Sequence, residues 1–576
     1  MNIRYIKTFI CGVCICCGGA TTFTACSDYL DILPMNDVVL ENYWTEKSDV
    51  ASVLNGCYES LESRDCLTRM ALWGEVRSDN MYLGSNVPWE LEQLIKENIL
   101  PTNSYCTWTP FYQTINRCNT VCYYAPKVQQ IDPNYTYTEM RANIAEATAI
   151  RSLCYFYLIR TFRDVPFTRR PSIDDTENFQ LPATKFDAVL DSLITDLEAV
   201  KDEAVRRYYT DDNDMAYTNT SRFTRTSIYA LLADLYLWQG NWDKCIEHCQ
   251  YVLDQKQLQY NEMRDRDGNI YDIQLFGEWP LIMERPVGSN ISGHVYNEVF
   301  GTGNSFESIF ELYFSQSQSV HNYLPPMFFM RGTTLGRIGV NDEEGYFFGK
   351  IPETKSTLFE LTDCRAYESL SSVSSNTCGI AKYVNQSVSF NTMGTITATT
   401  LRLNTSPRSY TQSGNDYYCS ANWIVYRMTD VMLMMAEAYT ERGTDDDLDK
   451  AFALINAVNR RANNIFVESN SILKRNDYPT QAEMRDLVMM ERQRELLFEG
   501  KRWYDLVRVA RRQGNTRELA STVVKKQKTG KDAIRIKLAD DNAIYLPYSR
   551  SELKVNPYLT QNPAYNTGDD ADLEKN

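Results

Sequence analysis

Residues 223–253 contain a spacing of small and aromatic residues that constrains the fold more than any other feature of the chain. Apolar residues recur every three or four positions on both sides of Gly240, as they do on the buried face of a helix. Small side chains let two antiparallel helices approach closely and aromatic side chains fill the space between them, so the segment predicts a helix pair of the tetratricopeptide type. The positions that carry this pattern are Tyr229, Leu232, Ala233, Tyr236, Gly240, Trp242, Cys245, Cys249 and Val252.

A second copy of the pattern occupies residues 432–458. Because about 200 residues separate the two copies, they do not form a simple tandem array, and we expect an inserted region between them. Apolar residues at helical spacing predict further helices at 144–162 and 185–204. The second copy consists of Met432, Met435, Ala436, Tyr439, Gly443, Ala451, Ile455 and Val458.

The region between the two copies has a different composition. Residues 271–420 contain 13 of the 26 glycines, and two short stretches, 308–314 and 384–390, are typical of strands. Long loops held on a rigid scaffold are where binding sites concentrate. The sequence therefore predicts a mainly α fold, in which a tetratricopeptide-like helical-pair scaffold carries an irregular insertion of loops and short strands that forms the ligand face.

The first 26 residues have the character of an export signal. Arg4 and Lys7 precede a short apolar stretch, 8–20, which is too short to span a membrane. Cys26 follows Ala25 directly, as in bacterial lipoprotein signals, in which the new N-terminal cysteine carries lipid. We therefore expect a signal peptide at 1–25 and lipidation of Cys26. The alternative is an ordinary signal peptide with an incidental cysteine.

Cysteine usage argues against a disulfide framework. Five of the 16 cysteines lie in the first 26 residues, which leaves 11 beyond them. An odd number cannot be fully paired, so we expect most of these to be buried thiols. Cys364 and Cys378 flank a polar loop, and the sequence leaves it open whether a disulfide joins them.

Charge and histidine content exclude several classes of function. A net charge of −16 and a pI of about 4.9 repel phosphate backbones, so nucleic acid is not an expected partner. With only three histidines and no GxSxG or HExxH motif, the chain has few routes to a catalytic triad or a zinc site. We expect no enzyme activity and no cofactor, although 75 acidic residues leave a two-carboxylate glycosidase as an alternative.

Three polar stretches have both a chemical and a structural interpretation. Cys245, His248 and Cys249 have the spacing of metal ligands, but helix packing explains them better. The acidic triplet at 445–447 could hold a structural Ca²⁺, but it lacks the EF-hand spacing and a solvated turn is favoured. The charge-rich run 485–513 alternates in sign at i,i+3 and i,i+4, which predicts a network of salt bridges rather than an active site.

Five longer stretches, in order along the chain, carry a further signal. They are CSDYLDILP (26–34), RSLCYFYLIRTFRDVPF (151–167), YRMTDVMLMMAEAY (426–439), ERQRELLFEGKRWYDLVR (491–508) and YLPYSRSELKVNPYLTQNPAY (545–565). Together with the lipoprotein signal, these stretches resemble proteins of the SusD/RagB family. The resemblance spans nearly the whole chain.

The resemblance implies an outer-membrane lipoprotein of Bacteroidetes, exposed at the cell surface and anchored by its lipid. SusD-like proteins have a tetratricopeptide-like scaffold that packs on a SusC-like TonB-dependent transporter, and they capture glycans and deliver them to it. They are not enzymes. The RagB branch binds peptides, so an oligopeptide-binding role is the alternative. The implied regions are the signal peptide at 1–25, an N-terminal helical region at 26–270, the loop-rich insertion at 271–420 and a C-terminal helical region at 421–576.

The resemblance also suggests where ligand binds, in the segment 73–89 and in the central loops. A neutral polysaccharide offers flat apolar sugar faces and many hydroxyls, which an aromatic platform beside a few planar polar groups complements. We predict Trp89 and Tyr296 as stacking platforms, with Arg77 and Asn80 as hydrogen-bond partners. The other candidates are Trp73, Asp79, Tyr82, Trp279 and Tyr323.

Several of these candidates also have a structural interpretation. Trp73 and Tyr82 are the right residue types for a core, and Arg77 and Asp79 have the charges of a structural ion pair. Both interpretations are open on the sequence alone.

Overall fold

The structure is a computed structural model of the chain. The described residues from Glu46 onward form one compact unit, and the unit before it, which ends at Thr45, is described only from Tyr43. The predicted signal peptide and Cys26 lie outside the described residues. The described ranges are 43–173, 180–208, 216–267, 272–284, 286–287, 290–291, 293–315, 320–330, 334–343, 346–347, 358–359, 363–372, 377–392, 401–463 and 473–566.

Helices dominate the described chain, which confirms the mainly α fold. Before the insertion they are α1 (Lys47–Glu62), α2 (Arg64–Glu75), α3 (Trp89–Ile95), α4 (Thr109–Ile131), α5 (Tyr137–Phe162), α6 (Phe186–Glu198), α7 (Ala216–Ser221), α8 (Arg225–Gln239) and α9 (Trp242–Asp267). Within it are α10 (His294–Tyr296), α11 (Leu324–Phe328) and α12 (Cys364–Ser369). After it are α13 (Met428–Arg442), α14 (Asp445–Ala462), α15 (Gln481–Glu495), α16 (Arg502–Gln513), α17 (Arg517–Val523), α18 (Lys531–Lys537) and α19 (Arg550–Val555).

The two predicted helix pairs are present, and they pack against each other. Gly240 ends α8 with a φ of 79° and Gly443 ends α13 with a φ of 76°, a left-handed conformation that favours glycine. The helix after each glycine packs back on the one before it, and α9 also packs against α13. Cys245 and Cys249 are fully buried on α9, in agreement with their predicted packing role. Units far apart in sequence therefore form one helical layer.

Short antiparallel strands supply the rest of the regular structure. They are β1 (Tyr82–Leu83), β2 (Val165–Pro166), β3 (Ala183–Thr184), β4 (Ile273–Phe276), β5 (Trp279–Ile282), β6 (Pro286–Val287), β7 (Asn290–Ile291), β8 (Ser308–Leu312), β9 (Ile338–Asn341), β10 (Leu370–Ser372), β11 (Thr377–Ile380), β12 (Asn385–Thr392), β13 (Leu401–Pro407), β14 (Thr411–Ser413), β15 (Asp416–Tyr418) and β16 (Trp423–Arg427). In the described chain they form two four-stranded sheets, β1-β9-β11-β10 and β13-β12-β7-β6, and four strand pairs. Strand β8 pairs with β16, where the chain re-enters the scaffold, and β1 pairs with β9. At both places, strand pairing thus joins the insertion to the helical layer.

The charge-rich run forms a buried ion-pair network. Glu495, at the end of α15, accepts hydrogen bonds from three arginines on α12, β16 and α14. Burial would raise the pKa of Glu495, but these arginines hold it well below its usual value. Pairing along the helix was expected, yet most partners come from other elements, because a buried charge needs a partner in whatever element packs against it. The three partners are Arg365, Arg427 and Arg461.

Two neighbouring carboxylates predict that acid weakens the fold. Burial raises the pKa of Asp430 and Glu437, but cationic neighbours, led by Lys501 and Arg508 respectively, lower each to about 2. The unfolded-state pKa of such groups is about 4, so the unfolded chain binds more protons as the pH falls. We expect the urea midpoint to fall progressively as the pH drops from about 5 towards about 2. A midpoint that stayed level down to about pH 3 would contradict this origin of stability.

The acidic triplet Asp445–Asp447 forms the first turn of α14. Asp447 completes a capping box at the start of the helix and pairs with Arg442. Asp446 pairs with Lys450 one turn later. The triplet is therefore the start of a helix and not the solvated turn that the sequence favoured, and Asp447 within it is buried. Within the described ranges, no group of histidine, cysteine and acidic side chains is arranged to hold a metal ion.

The cysteines of the described chain are thiols, and nearly all of them are buried. Cys364 and Cys378 are both buried thiols, and no disulfide joins any of the described cysteines. None of the described helices combines the length and the apolar character that a membrane-spanning segment needs.

Candidate functional site

The aromatic residues at the start of the segment 73–89 belong to the core. The ring of Trp73 stacks on Phe111 with centroids 4.9 Å apart, and its Nε1 donates to the carbonyl oxygen of Tyr105 at 2.9 Å. Tyr82 is buried on β1, opposite Gly339. Both positions match the structural interpretation, and neither ring has a free face for a ligand.

Arg77 is an anchor between distant parts of the chain. Its guanidinium forms a forked ion pair with Glu97, with Nη2 and Oε2 2.6 Å apart, and donates to the carbonyl oxygens of Ala543 and Ile544 at 2.7 Å. It also lies over the ring of Trp503, 4.2 Å from the centroid. Because the side chain is only 2% exposed and paired on both edges, the predicted ligand contact does not agree with this structure.

Asp79 and Asn80 take part in the same buried polar layer. Asp79 accepts a hydrogen bond from Nε of Arg502 at 2.8 Å, and Asn80 donates to Glu75 at 2.6 Å. Gln493 donates to both of them, at 3.0 and 2.7 Å. The ion pair considered between Arg77 and Asp79 does not form, because Asp79 pairs with Arg502 and Arg77 pairs with Glu97. Since both side chains are buried, neither presents a polar group to solvent.

Tyr296 and Trp279, in the insertion, differ in exposure. Tyr296 is fully buried, its hydroxyl donates to the carbonyl oxygen of Asn385 at 3.2 Å, and its ring lies 5.6 Å from that of Phe300. A stacking platform must expose a ring face, so the structure does not agree with the prediction for Tyr296. Trp279 is partly exposed on the β4–β5 hairpin, and its ligand role stays a prediction.

Trp89 is the most exposed of the predicted residues. It begins α3 with 57% of its surface exposed. The next residue, Glu90, accepts hydrogen bonds from the backbone N–H and the hydroxyl of Ser104, both at 2.8 Å, which brings Tyr105 close to the start of α3. Burial raises the pKa of Tyr105, Glu90 adds to the rise, and Arg337, Arg69 and Arg64 oppose it in that order.

A second group of rings surrounds Tyr323. Asn322 and Cys419 exchange backbone hydrogen bonds at 3.0 and 2.9 Å, which aligns the segments on either side. As a result, His321 stacks on Tyr418 with centroids 3.7 Å apart, and Tyr323 lies 5.8 Å from Tyr418. All three rings are half-buried, so each keeps some surface for a ligand.

Arg64 lies beside the second group of rings. Its guanidinium carbon lies 5.4 Å from the ring centroid of Tyr323, and its Nη1 donates to Asp416 at 2.9 Å. An exposed ion pair of this kind adds little to stability, so its planar, hydrogen-bonding groups are available to a ligand at low cost. We call the two groups of rings, together with this ion pair, the aromatic face. Its residues are Trp89, Tyr105, His321, Tyr323 and Tyr418, with Arg64 and Asp416.

Five of these residues were missed by sequence reasoning: Arg64, Tyr105, His321, Asp416 and Tyr418. They come from four separate segments, and no periodic pattern joins them. The His321-x-Tyr323 alternation is the one local signal, because alternate residues of an extended segment share a side. The aromatic face has what a saccharide requires, namely ring faces beside a guanidinium and a carboxylate.

Comparison with known proteins places these observations in a family. Residues 346–565 match the SusD family, and residues 28–237 match a SusD-like family described as starch-binding and associating with the outer membrane. SusD-like protein P38 of Formosa agariphila is 24% identical over 84% of this chain and 88% of its own length. SusD-like protein P25 of the same organism is 23% identical over 94% of this chain and 96% of its own length.

Solved structures share the fold. A SusD superfamily protein from Bacteroides vulgatus superposes with a TM-score of 0.62 at 20% identity, covering 91% of this chain and all of the other. NanU of B. fragilis gives a TM-score of 0.58 at 17% identity, covering 93% of this chain and all of the other. With family matches at both ends of the chain, relatives along most of its length and the same fold, this protein belongs to the SusD/RagB family.

Proposed function

We propose that the protein is a cell-surface glycan-binding lipoprotein, which captures oligosaccharides and delivers them to a SusC-like TonB-dependent transporter in the outer membrane. Lipid on Cys26 anchors it, and it carries out no chemistry of its own. The observation that carries the proposal is the family match whose description combines starch binding with outer-membrane association.

The aromatic face is the proposed ligand site. Its rings suit the apolar faces of sugars, and Arg64 and Asp416 suit pairs of hydroxyls. The net charge of −16 favours neutral glycans over polyanionic ones at this surface. Peptide binding, as in the RagB branch, is the second candidate, since tyrosine-rich surfaces serve both ligand classes.

A binding screen of residues 27–576 against neutral plant and host glycans, with peptides in parallel, tests the proposal. We expect at least one oligosaccharide to bind, and the double variant Tyr323→Ala/Tyr418→Ala to weaken its affinity about tenfold or more, because truncated central aromatics dominate such losses. Both rings are half-buried at the surface, so the melting temperature should change little.

The matched control is Tyr137→Ala, which removes an exposed tyrosine at the start of α5, outside the aromatic face. It should leave the affinity unchanged. Equal affinity of the double variant and the parent protein would contradict the placement of the site. Binding of peptides without any glycan would favour the second candidate, and turnover of a bound glycan would contradict a purely binding role.

A further inference from the structure

A second concave site lies where the end of α5 meets the end of α16 and the segment before α19. This cleft has a volume of about 270 Å³ and shares no residue with the aromatic face. This volume is slightly below the range of about 300–1,000 Å³ that is usual for ligand pockets, so the cleft suits a small ligand such as a single sugar unit. The side chains that define it are Arg163, Ala510, Arg511, Asp541, Ile544 and Tyr545.

The backbone at Arg163 is strained. Its φ of 69° and ψ of −76°, with a hydrogen bond of 3.0 Å from the N–H of Asp164 to the carbonyl oxygen of Phe162, define the rare and strained form of the γ-turn. Glycine adopts a positive φ far more readily than any residue with a Cβ. An arginine in this position therefore implies a role for its side chain, since strained residues cluster at ligand-binding sites.

In both arginines of the cleft, part of the guanidinium group is held in place by hydrogen bonds. Arg163 donates from Nη1 to Asn542 at 2.6 Å, and about a third of its side chain is exposed. Arg511 donates from Nη1 to the hydroxyl of Tyr545 at 3.0 Å and from Nη2 to Asp187 at 2.9 Å. A guanidinium carries five N–H groups, so each arginine keeps donors for a ligand.

The hydrogen-bond donors of the cleft select the kind of ligand. Two arginines and one acid, Asp541, line it. Of the neighbouring acids, Asp164 lies 2.8 Å from Lys185 and 3.5 Å from Nε of Arg163, and Asp187 is paired with Arg511 at 2.9 Å, so the remaining N–H groups select the ligand and not an excess of positive charge. A carboxylate or a sulfate ester matches these N–H groups, because arginine binds planar or tetrahedral oxyanions through two parallel hydrogen bonds.

We propose that this cleft binds a monoanionic group, a carboxylate or a sulfate ester, carried on a unit of monosaccharide size. The guanidinium groups of Arg163 and Arg511 hold the oxyanion, and the ring of the sugar lies over the floor of the cleft, where Ala510 and Ile544 are each 3% exposed. The cleft shares no residue with the aromatic face, so the two proposed sites can be tested separately.

The test is titration of the protein at low salt with glucuronate, glucose 6-sulfate, glucose and inorganic sulfate. We expect the two charged sugars to bind and glucose not to bind. Arg163→Gly relieves the strained turn and removes the guanidinium, so the melting temperature should stay within about 2 °C while affinity for the charged sugars falls about tenfold or more. Arg511→Lys keeps the charge and loses the fork, and should weaken binding as well.

Several outcomes would overturn the proposal. They are no binding of either charged sugar, equal binding of glucose, or unchanged affinity in Arg163→Gly. If inorganic sulfate bound as tightly as glucose 6-sulfate, the claim that the cleft contacts the sugar would be contradicted. If Arg163→Gly lost its fold, Arg511→Lys would decide the question. The Tyr323→Ala/Tyr418→Ala variant should bind glucuronate normally, which separates this site from the proposed glycan site.

Discussion

Replacement of Glu495 by alanine is expected to lower the free energy of unfolding by about 3–5 kcal/mol, because it leaves buried charges without their partner. Three guanidinium groups converge on this carboxylate, and each of the four side chains is almost fully buried. Loss of the carboxylate leaves the positive charge of the arginines without a partner in a region that water cannot reach. The partners lie on α12, β16 and α14, so the loss loosens the join between the insertion and the helical layer.

Urea unfolding followed by circular dichroism measures the effect. Glu495→Gln keeps the shape of the side chain and removes only the charge, so it should be destabilising, but less so than alanine. Asp532→Ala breaks the exposed pair with Arg535 and serves as the control, since such pairs contribute little. If Glu495→Ala shifted the midpoint no more than Asp532→Ala, the network would have no structural importance.

The helical scaffold was predictable because its signals are local. Gly240 and Gly443 each stand between two apolar runs, and both end a helix as expected. The strands predicted at 308–314 and 384–390 overlap β8 and β12 for the same reason. An apolar repeat of three to four residues lies within one segment, so it indicates a helix regardless of what packs against that segment.

The ligand surface was less predictable because it depends on distant residues. Trp89 is exposed as the sequence suggested, but Tyr296, an equally plausible platform, points into the core of the insertion. A tyrosine in a glycine-rich region has the same local sequence whether its ring faces solvent or not. The partners of Tyr323, which include Arg64 and Tyr418, come from segments that meet only in the folded chain.

Substitution of Arg77 is expected to cause the second large loss of stability. The same substitution distinguishes a structural role of this side chain from a role in ligand binding. We expect Arg77→Ala to destabilise the protein by about 3–5 kcal/mol, because it leaves Glu97 charged and buried and deprives two carbonyl oxygens of their donor. Those carbonyls belong to Ala543 and Ile544, so amide exchange in the segment around them should accelerate. Arg77→Lys keeps a charge beside Glu97 but cannot form the fork, and should restore only part of the stability.

Binding measurements on the same variants distinguish the two roles. If Arg77 is an anchor, Arg77→Lys should keep its glycan affinity under conditions in which it is folded, because no ligand reaches a side chain that is 2% exposed. Normal stability combined with lost affinity would reverse this conclusion. The contact predicted from the sequence would then be real, and the conformation that binds ligand would have to expose the segment 73–89 by breaking the ion pair between Arg77 and Glu97.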